Sequence, residues 1–321
     1  MALEQTVDFR VVILKCMQSR PHITIAICTY NRSGYLKDTL KDLAAQTARR
    51  DSYEILVVNN NSDDSTSSIC DRFSQSNPDI RFRAVVELNQ GLSHARNRAV
   101  KEALGEAIYF IDDDVYLPVD YVEKAVKYSK EKPNTLSAGG RIWVHFDDEE
   151  GQPNWIPGEL MPMFGLHDLG DEDRIYPQSN FPRGGNMMVR KSVFDTFGLF
   201  DTNLGRTGKE LLGSEEKAFF ERIRKNGVQL RYWSGLELNH RIGNERLKTG
   251  FLKKQSAGIG KSERLRVKGS FKEFLKKLAA EEIKFAGSII LAIFYLFRLR
   301  PKAALFILRF RYWVMIGFLR G

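Results

Sequence analysis

The chain is 321 residues long, 43% hydrophobic and 28% charged, with a formal net charge of +9 and three cysteines. This allows one large domain with an appendage, or two domains, around a sizeable core. Cys16, Cys28 and Cys70 lack the spacing of a cysteine-held metal centre, and an odd count without a signal peptide points to buried free thiols in a reducing compartment.

Residues 1–20 contain Val11, Val12, Ile13 and Leu14 but no long apolar run, and read as a short extra strand or a loosely ordered lead. From His22 to Cys28, Ile23, Ile25 and Ile27 alternate with Thr24, Ala26 and Cys28, the pattern of a strand. It ends in Thr29-Tyr30-Asn31-Arg32, and Ser33 is placed to cap a helix with Leu36, Leu40 and Leu43 on one face. A second strand, Tyr53–Val58, ends in a run of turn formers from Asn59 to Thr66. A helix marked by Ile69 and Phe73 follows. A third strand, Phe82–Glu87, leads through Asn89-Gln90-Gly91 to a helix capped by Ser93 and carrying Ala95, Arg96 and Ala99. Four alternations of strand and helix predict βαβ units and a largely parallel sheet.

The fourth strand, Ala107–Ile111, stops at Asp112, Asp113 and Asp114. Ligands of open α/β sheets bind outside such strand ends. Three adjacent carboxylates repel one another unless a cation or donors sit among them, and all-oxygen ligands favour Mg²⁺ or Mn²⁺. A solvated acidic turn is the structural alternative. Beyond a helix near Tyr121–Ser129 and a strand at Leu136–Val144, residues 145–182 show little periodicity, as in a binding loop or a plain insertion. Gly184 and Gly185 permit close approach of backbone to a ligand ahead of the strand Met187–Val189. Ser214 caps a helix opening on Glu215 and Glu216 and closed by Gly227. The acids there suit the helix dipole as well as catalysis. After a strand at Val228–Trp233 comes His240.

Residues 246–321 hold 18 Lys and Arg against four Glu, a net +14, which leaves −5 for residues 1–245. Ser270 and Glu273 form a capping box, Phe285–Phe297 carries no charge, and Arg298, Arg300 and Lys302 interrupt before a second apolar run, Ala303–Leu319. Each run is short of the ~20 residues that span a bilayer. The pattern fits two interfacial or re-entrant helices on an anionic leaflet. The structural alternative is a buried helical hairpin.

Taken together, these pieces resemble the family 2 glycosyltransferases of the GT-A fold over about residues 21–245. The match runs through Thr29–Arg32, Val57–Thr66, Asn89–Asn97, the aspartate triplet, Gly184-Gly185-Asn186, Glu215-Glu216 and His240. The resemblance implies an α/β GT-A (Rossmann-like) fold, a mixed, mainly parallel sheet flanked by helices. It also implies an inverting, nucleotide-sugar-dependent transferase. Thr29, Tyr30, Asn31, Arg32, Asn59 and Ser62 would hold the nucleotide base and ribose, with Arg96 near the nucleotide. Asn59 stands where the family usually has Asp, so UDP is favoured while GDP and TDP stay open. Asp112, Asp114 and His240 would ligate the divalent metal (Mn²⁺ or Mg²⁺), with Asp112 or Asp113 also facing the ribose. Gly184 and Gly185 would line the donor sugar. Glu216, one methylene longer than the family's Asp, would be the general base beside Glu215. Trp155 is placed to stack on an acceptor sugar or to lie in a core.

The expected organisation is a lead (1–20), a catalytic domain (21–245) and a basic helical membrane-associating region (246–321). The expected partners are a nucleotide-sugar donor, a glycan or lipid-linked acceptor and an anionic membrane surface, with no nucleic acid. The expected place is the cytoplasmic face of the inner or plasma membrane. A glycosidase needs no nucleotide-like strand ends. A nucleotidyltransferase opens on a Gly-rich basic loop. A non-catalytic GT-A binding module is the remaining alternative, and nucleic-acid binding leaves the apolar runs of the tail unexplained.

Overall fold

The computed structural model describes residues 20–148, 151–204 and 215–321, so the expected lead (save Arg20) and the Ser214 cap lie outside the described residues. Strands β1 (Ile23–Thr29), β2 (Tyr53–Asn59), β3 (Phe82–Val86) and β4 (Ala107–Ile111) lie in the order β3-β2-β1-β4, all parallel. Helices α1 (Ser33–Ala44), α2 (Thr66–Ser76) and α3 (Leu92–Glu102) connect them.

The alternation in β1 sorts the two faces of the sheet. Ile23, Ile25 and Ile27 pack with Leu36, Leu40 and Leu43 of α1. Ala26 packs on the other face with Ala95 and Ala99 of α3. Both faces are covered, so β1 is buried along almost its whole length rather than on one side. Each fully buried Leu or Ile contributes about 2 kcal/mol.

After β4 the sheet turns mixed. β5 (Val115–Tyr116) precedes α4 (Tyr121–Glu131), β6 (Ser137–Phe146), β7 (Arg174–Ile175), β8 (Asn186–Arg190) and α5 (Lys191–Phe197). Then come α6 (Glu215–Lys225) and β9 (Leu230–Ile242). β8 pairs antiparallel with β4 and β6, and β9 runs parallel to β6 and antiparallel to β5. β9 is far longer than the strand expected from Val228–Trp233, because β6 offers it a partner as far as Phe146. His240 therefore sits within a strand, not after it.

Two expected caps differ. Ser33 is already helical and gives its N–H to Asp64 (2.8 Å). Ser93 turns its hydroxyl to the Leu204 carbonyl (2.6 Å), and Gly91 is the residue at the cap of α3. Gly227 does close α6: it lies at φ +87°, and the Gly227 and Val228 N–H groups return to Arg224 and Ile223.

The tail is three helices, α7 (Thr249–Arg266), α8 (Phe271–Phe297) and α9 (Pro301–Arg320). The Ser270 hydroxyl accepts from the Glu273 N–H (3.3 Å), one half of the expected capping box; the Ser270 N–H goes to the Val267 carbonyl and Glu273 pairs with Lys276 instead. The basic break between α8 and α9 holds Leu299 at φ +54°, with Pro301 starting α9. Gly260 of α7 and Gly317 of α9 face one another's helices so closely that a Cβ on either would strike backbone. Among the described residues, no helix is long and apolar enough to cross a membrane.

A third apolar cluster joins this tail to the body. Ile156, Leu160 and Phe164 from the irregular segment pack with Ala292 and Tyr295 of α8 and with Phe306 and Ile307 of α9. Trp155 stacks edge-on against Phe306, 5.0 Å between centroids. Its ring serves this junction. Much of the segment read as a loop is thus the bed of the tail, with a 3₁₀ turn at Gly158–Phe164.

Candidate active site

The aspartate triplet forms the turn between β4 and β5. Thr39 of α1 donates to the Asp113 carbonyl (2.9 Å), and Arg241 N–H donates to the Asp114 carbonyl (2.8 Å). Val115 pairs with His240 across β5–β9, which sets the imidazole beside Asp114. Asp112, Asp114 and His240 each offer a ligand atom, all within 4.8 Å of one another.

Asp114 is buried and faces cations. Its Oδ2 accepts from Arg32 (2.5 Å) and Arg246 (2.7 Å), and His240 Nε2 lies 3.3 Å away. Burial opposes its ionisation, but the Arg32 and Arg246 guanidiniums outweigh that and hold it well below the usual carboxylate range. Asp113 differs. Burial pushes its pKa up, against Arg32 (2.7 Å) and the Thr29 hydroxyl (2.7 Å).

His240 Nδ1 lies 2.7 Å from the Phe164 carbonyl, which only accepts, so Nδ1 carries a proton. Arg246 Nη1 lies 3.0 Å from Nε2, leaving that nitrogen as the acceptor. The remaining oxygen of Asp114, Oδ1, is buried and has no hydrogen-bond partner among the described residues. An orphaned carboxylate oxygen, a second carboxylate and an imidazole nitrogen are a donor set that fits Mg²⁺ or Mn²⁺.

The second acidic group comes from α6. Arg96, 3% exposed, donates to Glu215 Oε1 and Glu216 Oε1, each at 2.8 Å. Gly184 N–H donates to Glu216 Oε2 (3.0 Å). Glu215 is buried beneath this pairing, while the Glu216 side chain keeps a solvent-facing edge at 22% exposure. Arg96, expected near the nucleotide, is clamped between the two glutamates. A Cβ on Gly184 would crowd Glu216, and one on Gly185 would crowd Asp112. The Gly-Gly pair thus stands between the two sets of carboxylates.

The expected nucleotide residues cluster at the ends of β1 and β2. Asn31 (φ +52°) and Asn61 (φ +60°) take left-handed turns. Asn31 N–H donates to Ser62 Oγ (3.0 Å), and Asp63 N–H donates to Asn31 Oδ1 (2.9 Å). Asn59 uses its amide within its own loop, accepting from Ser62 N–H (2.9 Å) and donating to Ser67 (3.1 Å). Tyr30, at 38%, and Asn31 are the exposed members.

Sequence reasoning missed three participants. Asn60 is buried and donates to the Glu87 and Asn89 carbonyls while accepting from Gly91 N–H, tying the loops after β2 and β3 together. Phe164 acts through its carbonyl, which no side-chain pattern reports. Arg246 lies just past the expected boundary at 245, in the turn Asn244–Leu247, and was counted only as tail charge.

Helices on both sheet faces, parallel strands at one end, and carboxylates and a histidine at the strand ends define a GT-A-type fold. Residues 24–198 match the glycosyl transferase family 2 profile. The chain belongs to that family and is a glycosyltransferase. It is 24% identical over 249 residues to a glucosyl-dolichyl phosphate glucuronosyltransferase of Haloferax volcanii, covering 76% of each chain. It is 32% identical over 176 residues to the glycosyltransferase GlyA of Streptococcus pneumoniae, covering 54% of this chain and 22% of that protein. Among solved structures, the mannosyltransferase PcManGT of Pyrobaculum calidifontis, in complex with GDP-Man and Mn²⁺, superposes with a TM-score of 0.59. The match covers 94% of this chain and 93% of that one, at 16% identity.

Proposed function

We propose that this glycosyltransferase inverts the anomeric centre as it moves a sugar from a nucleoside-diphosphate donor, UDP-sugar favoured, to a hydroxyl of a glycan or lipid-linked acceptor. The acceptor is met at the cytoplasmic face of a membrane. The observation that carries the reading is the Gly184-Gly185 pair, with the Glu216 carboxylate against one glycine and the Asp112 carboxylate against the next. A donor sugar lying on those glycines has a base on one side and its diphosphate toward the triplet on the other.

Glu216 takes the proton from the attacking hydroxyl. Its two oxygens are oriented by different donors, Arg96 and the Gly184 N–H, so the carboxylate is positioned before the acceptor arrives. Glu215 holds Arg96 from beneath. The ends of β1 and β2, with Thr29 to Arg32 and the loop braced by Asn59 and Ser62, receive the base and ribose. Asp112, Asp114 and His240 would hold the divalent ion, which would supply positive charge for the leaving diphosphate. Arg32 and Arg246, already at Asp114, add to that charge.

The relatives support this reading by their names: a glucuronosyltransferase acting on glucosyl-dolichyl phosphate, and a mannosyltransferase holding GDP-Man and Mn²⁺. The test is thermal denaturation with UDP, GDP, TDP or CMP, each with and without Mn²⁺. A ligand bound only by the folded state raises its stability. The expected result is a Mn²⁺-dependent rise with one nucleoside diphosphate, lost in Asp114→Asn. No rise with any of them, on folded protein, would overturn the reading.

A further inference from the structure

The tail buries only one side of α8. Ser288, Ala292 and Tyr295 face inward. On the opposite side, Ile283, Ile290, Phe294 and Phe297 share one stripe by their spacing of seven, four and three, and all are exposed. Ile290 is 71%, Phe297 85% and, just beyond, Leu299 88% exposed. The stripe runs about 21 Å at the rise of an α-helix. An apolar face of this extent on a folded chain marks an interaction surface.

Its rim decides the partner. Residues 283–321 hold seven Lys and Arg and no acid. At the hairpin tip Arg298 stacks over Phe294 (4.7 Å) and Arg300 over Tyr295 (5.1 Å), so cations frame the apolar tip. A second copy would bring the same predominantly basic rim against this one, with Glu159 and Glu282 as its acids, a like-charge pairing that disfavours association. An anionic lipid surface offers both an apolar boundary and negative headgroups.

We propose that the α8–α9 hairpin seats the enzyme on an anionic lipid surface, with Ile290, Phe294, Phe297 and Leu299 in the headgroup boundary and Arg298, Arg300 and Lys302 against the headgroup charge. The hairpin is tied to the site's wall. The Tyr295 hydroxyl donates to Glu159 (2.8 Å), and Arg300 donates to the Asn154 carbonyl. The same segment ends at Phe164, whose carbonyl accepts from His240. The hairpin and the metal-side histidine thus share one support, and the seat would serve an acceptor hydroxyl carried at the lipid surface. The purpose of this seat rests on the acceptor class proposed above, but its test needs no donor, metal or turnover, so the two can fail separately.

The experiment is sedimentation of the full chain with phosphatidylcholine vesicles, with and without phosphatidylglycerol. Wild type is compared with Ile290→Gln/Phe297→Gln and Arg298→Gln/Lys302→Gln. These positions face solvent, so thermal denaturation should show both variants folded. The expected result is binding to anionic vesicles that weakens with salt and falls about tenfold or more in each variant. Wild type that ignores anionic vesicles, or variants that bind them as well as wild type, would overturn the proposal. So would a wild-type dimer that the apolar variant dissociates, with no vesicle binding, which would assign the face to a second copy.

Discussion

Replacing Gly184 and Gly185 by alanine, one at a time, separates the two chemistries that meet there. At 184 the new methyl would lie 2.7 Å from Glu216 Cδ, and closer still to Glu216 Oε1 and Arg96 Nη2. At 185 it would lie 2.7 Å from Asp112 Oδ2. Ordinary contact between carbon atoms begins near ~3.5 Å, so relief requires a shift of about 1 Å. The crowded atoms at 184 are ends of side chains, which move before the sheet does. The stability cost should therefore be about 1–2 kcal/mol, at the low end for overpacking. Displacing a catalytic group by ~1 Å costs on the order of 100-fold in rate. Gly184→Ala should thus lower kcat about 100-fold with the donor KM changed less than about threefold. Gly185→Ala, which disturbs a metal-side carboxylate, should raise the donor KM and the Mn²⁺ requirement instead. The assay is steady-state release of nucleoside diphosphate over a matrix of donor and Mn²⁺ concentrations, with Gly158→Ala, where a Cβ meets open space, as control. Full kcat in Gly184→Ala, or the same profile in both variants, would refute the division of labour.

Glu216→Gln keeps the side chain's length and its capacity to accept from the Gly184 N–H. It should leave nucleotide binding within about twofold while lowering turnover by about 10²–10⁴; near-normal single-turnover rates would remove Glu216 from the mechanism. Glu263 of α7 links the body to the tail, meeting Lys217 of α6 (3.4 Å) and Lys277 of α8 (2.8 Å). Burial raises its pKa, but Lys277, Lys217 and Arg266 bring it down from 4.5 to about 2. A lowered folded-state pKa means stabilisation that is full above about 4.5 and lost as pH falls toward about 2. Glu263→Gln should therefore cost about 2–3 kcal/mol at neutral pH. That difference should shrink on acidification, as read from denaturant midpoints at pH 7 and at pH 3. A gap that stays constant with pH would show that the ion pairs do not carry it.

The first half of the fold was legible because its signals are local. The Ile alternation in β1, the acids after β4 and the Gly184-Gly185 pair each show within a few residues. The far half depends on pairing between distant segments. β9 extends to Ile242 only because β6 runs beside it, and His240 reaches Asp114 only because β5 pairs there. Arg246 was hidden by its company: among 18 basic residues of the tail, nothing in sequence distinguishes the guanidinium that turns inward. Arg96 stands out in the sequence, but its pairing does not. The salt bridges to Glu215 and Glu216 span about 120 positions of chain, beyond the reach of any periodicity. The tail's break at 298–302 was readable from its charge and Pro301. Its seat against Trp155 and Phe164 was not, because the receiving surface is a segment without a repeating pattern.

That seat has a consequence for exchanging parts between relatives. A graft cut near residue 245 or 269 would carry α8 and α9 away from Ile156, Leu160 and Phe164 and leave both apolar faces wet. The portable cassette is discontinuous: the helices after β9 must travel with residues 154–164. A chimera built without that second piece would misplace more than its tail, because the backbone that bears the transplanted hairpin is also the one that sets the tilt of the histidine ring.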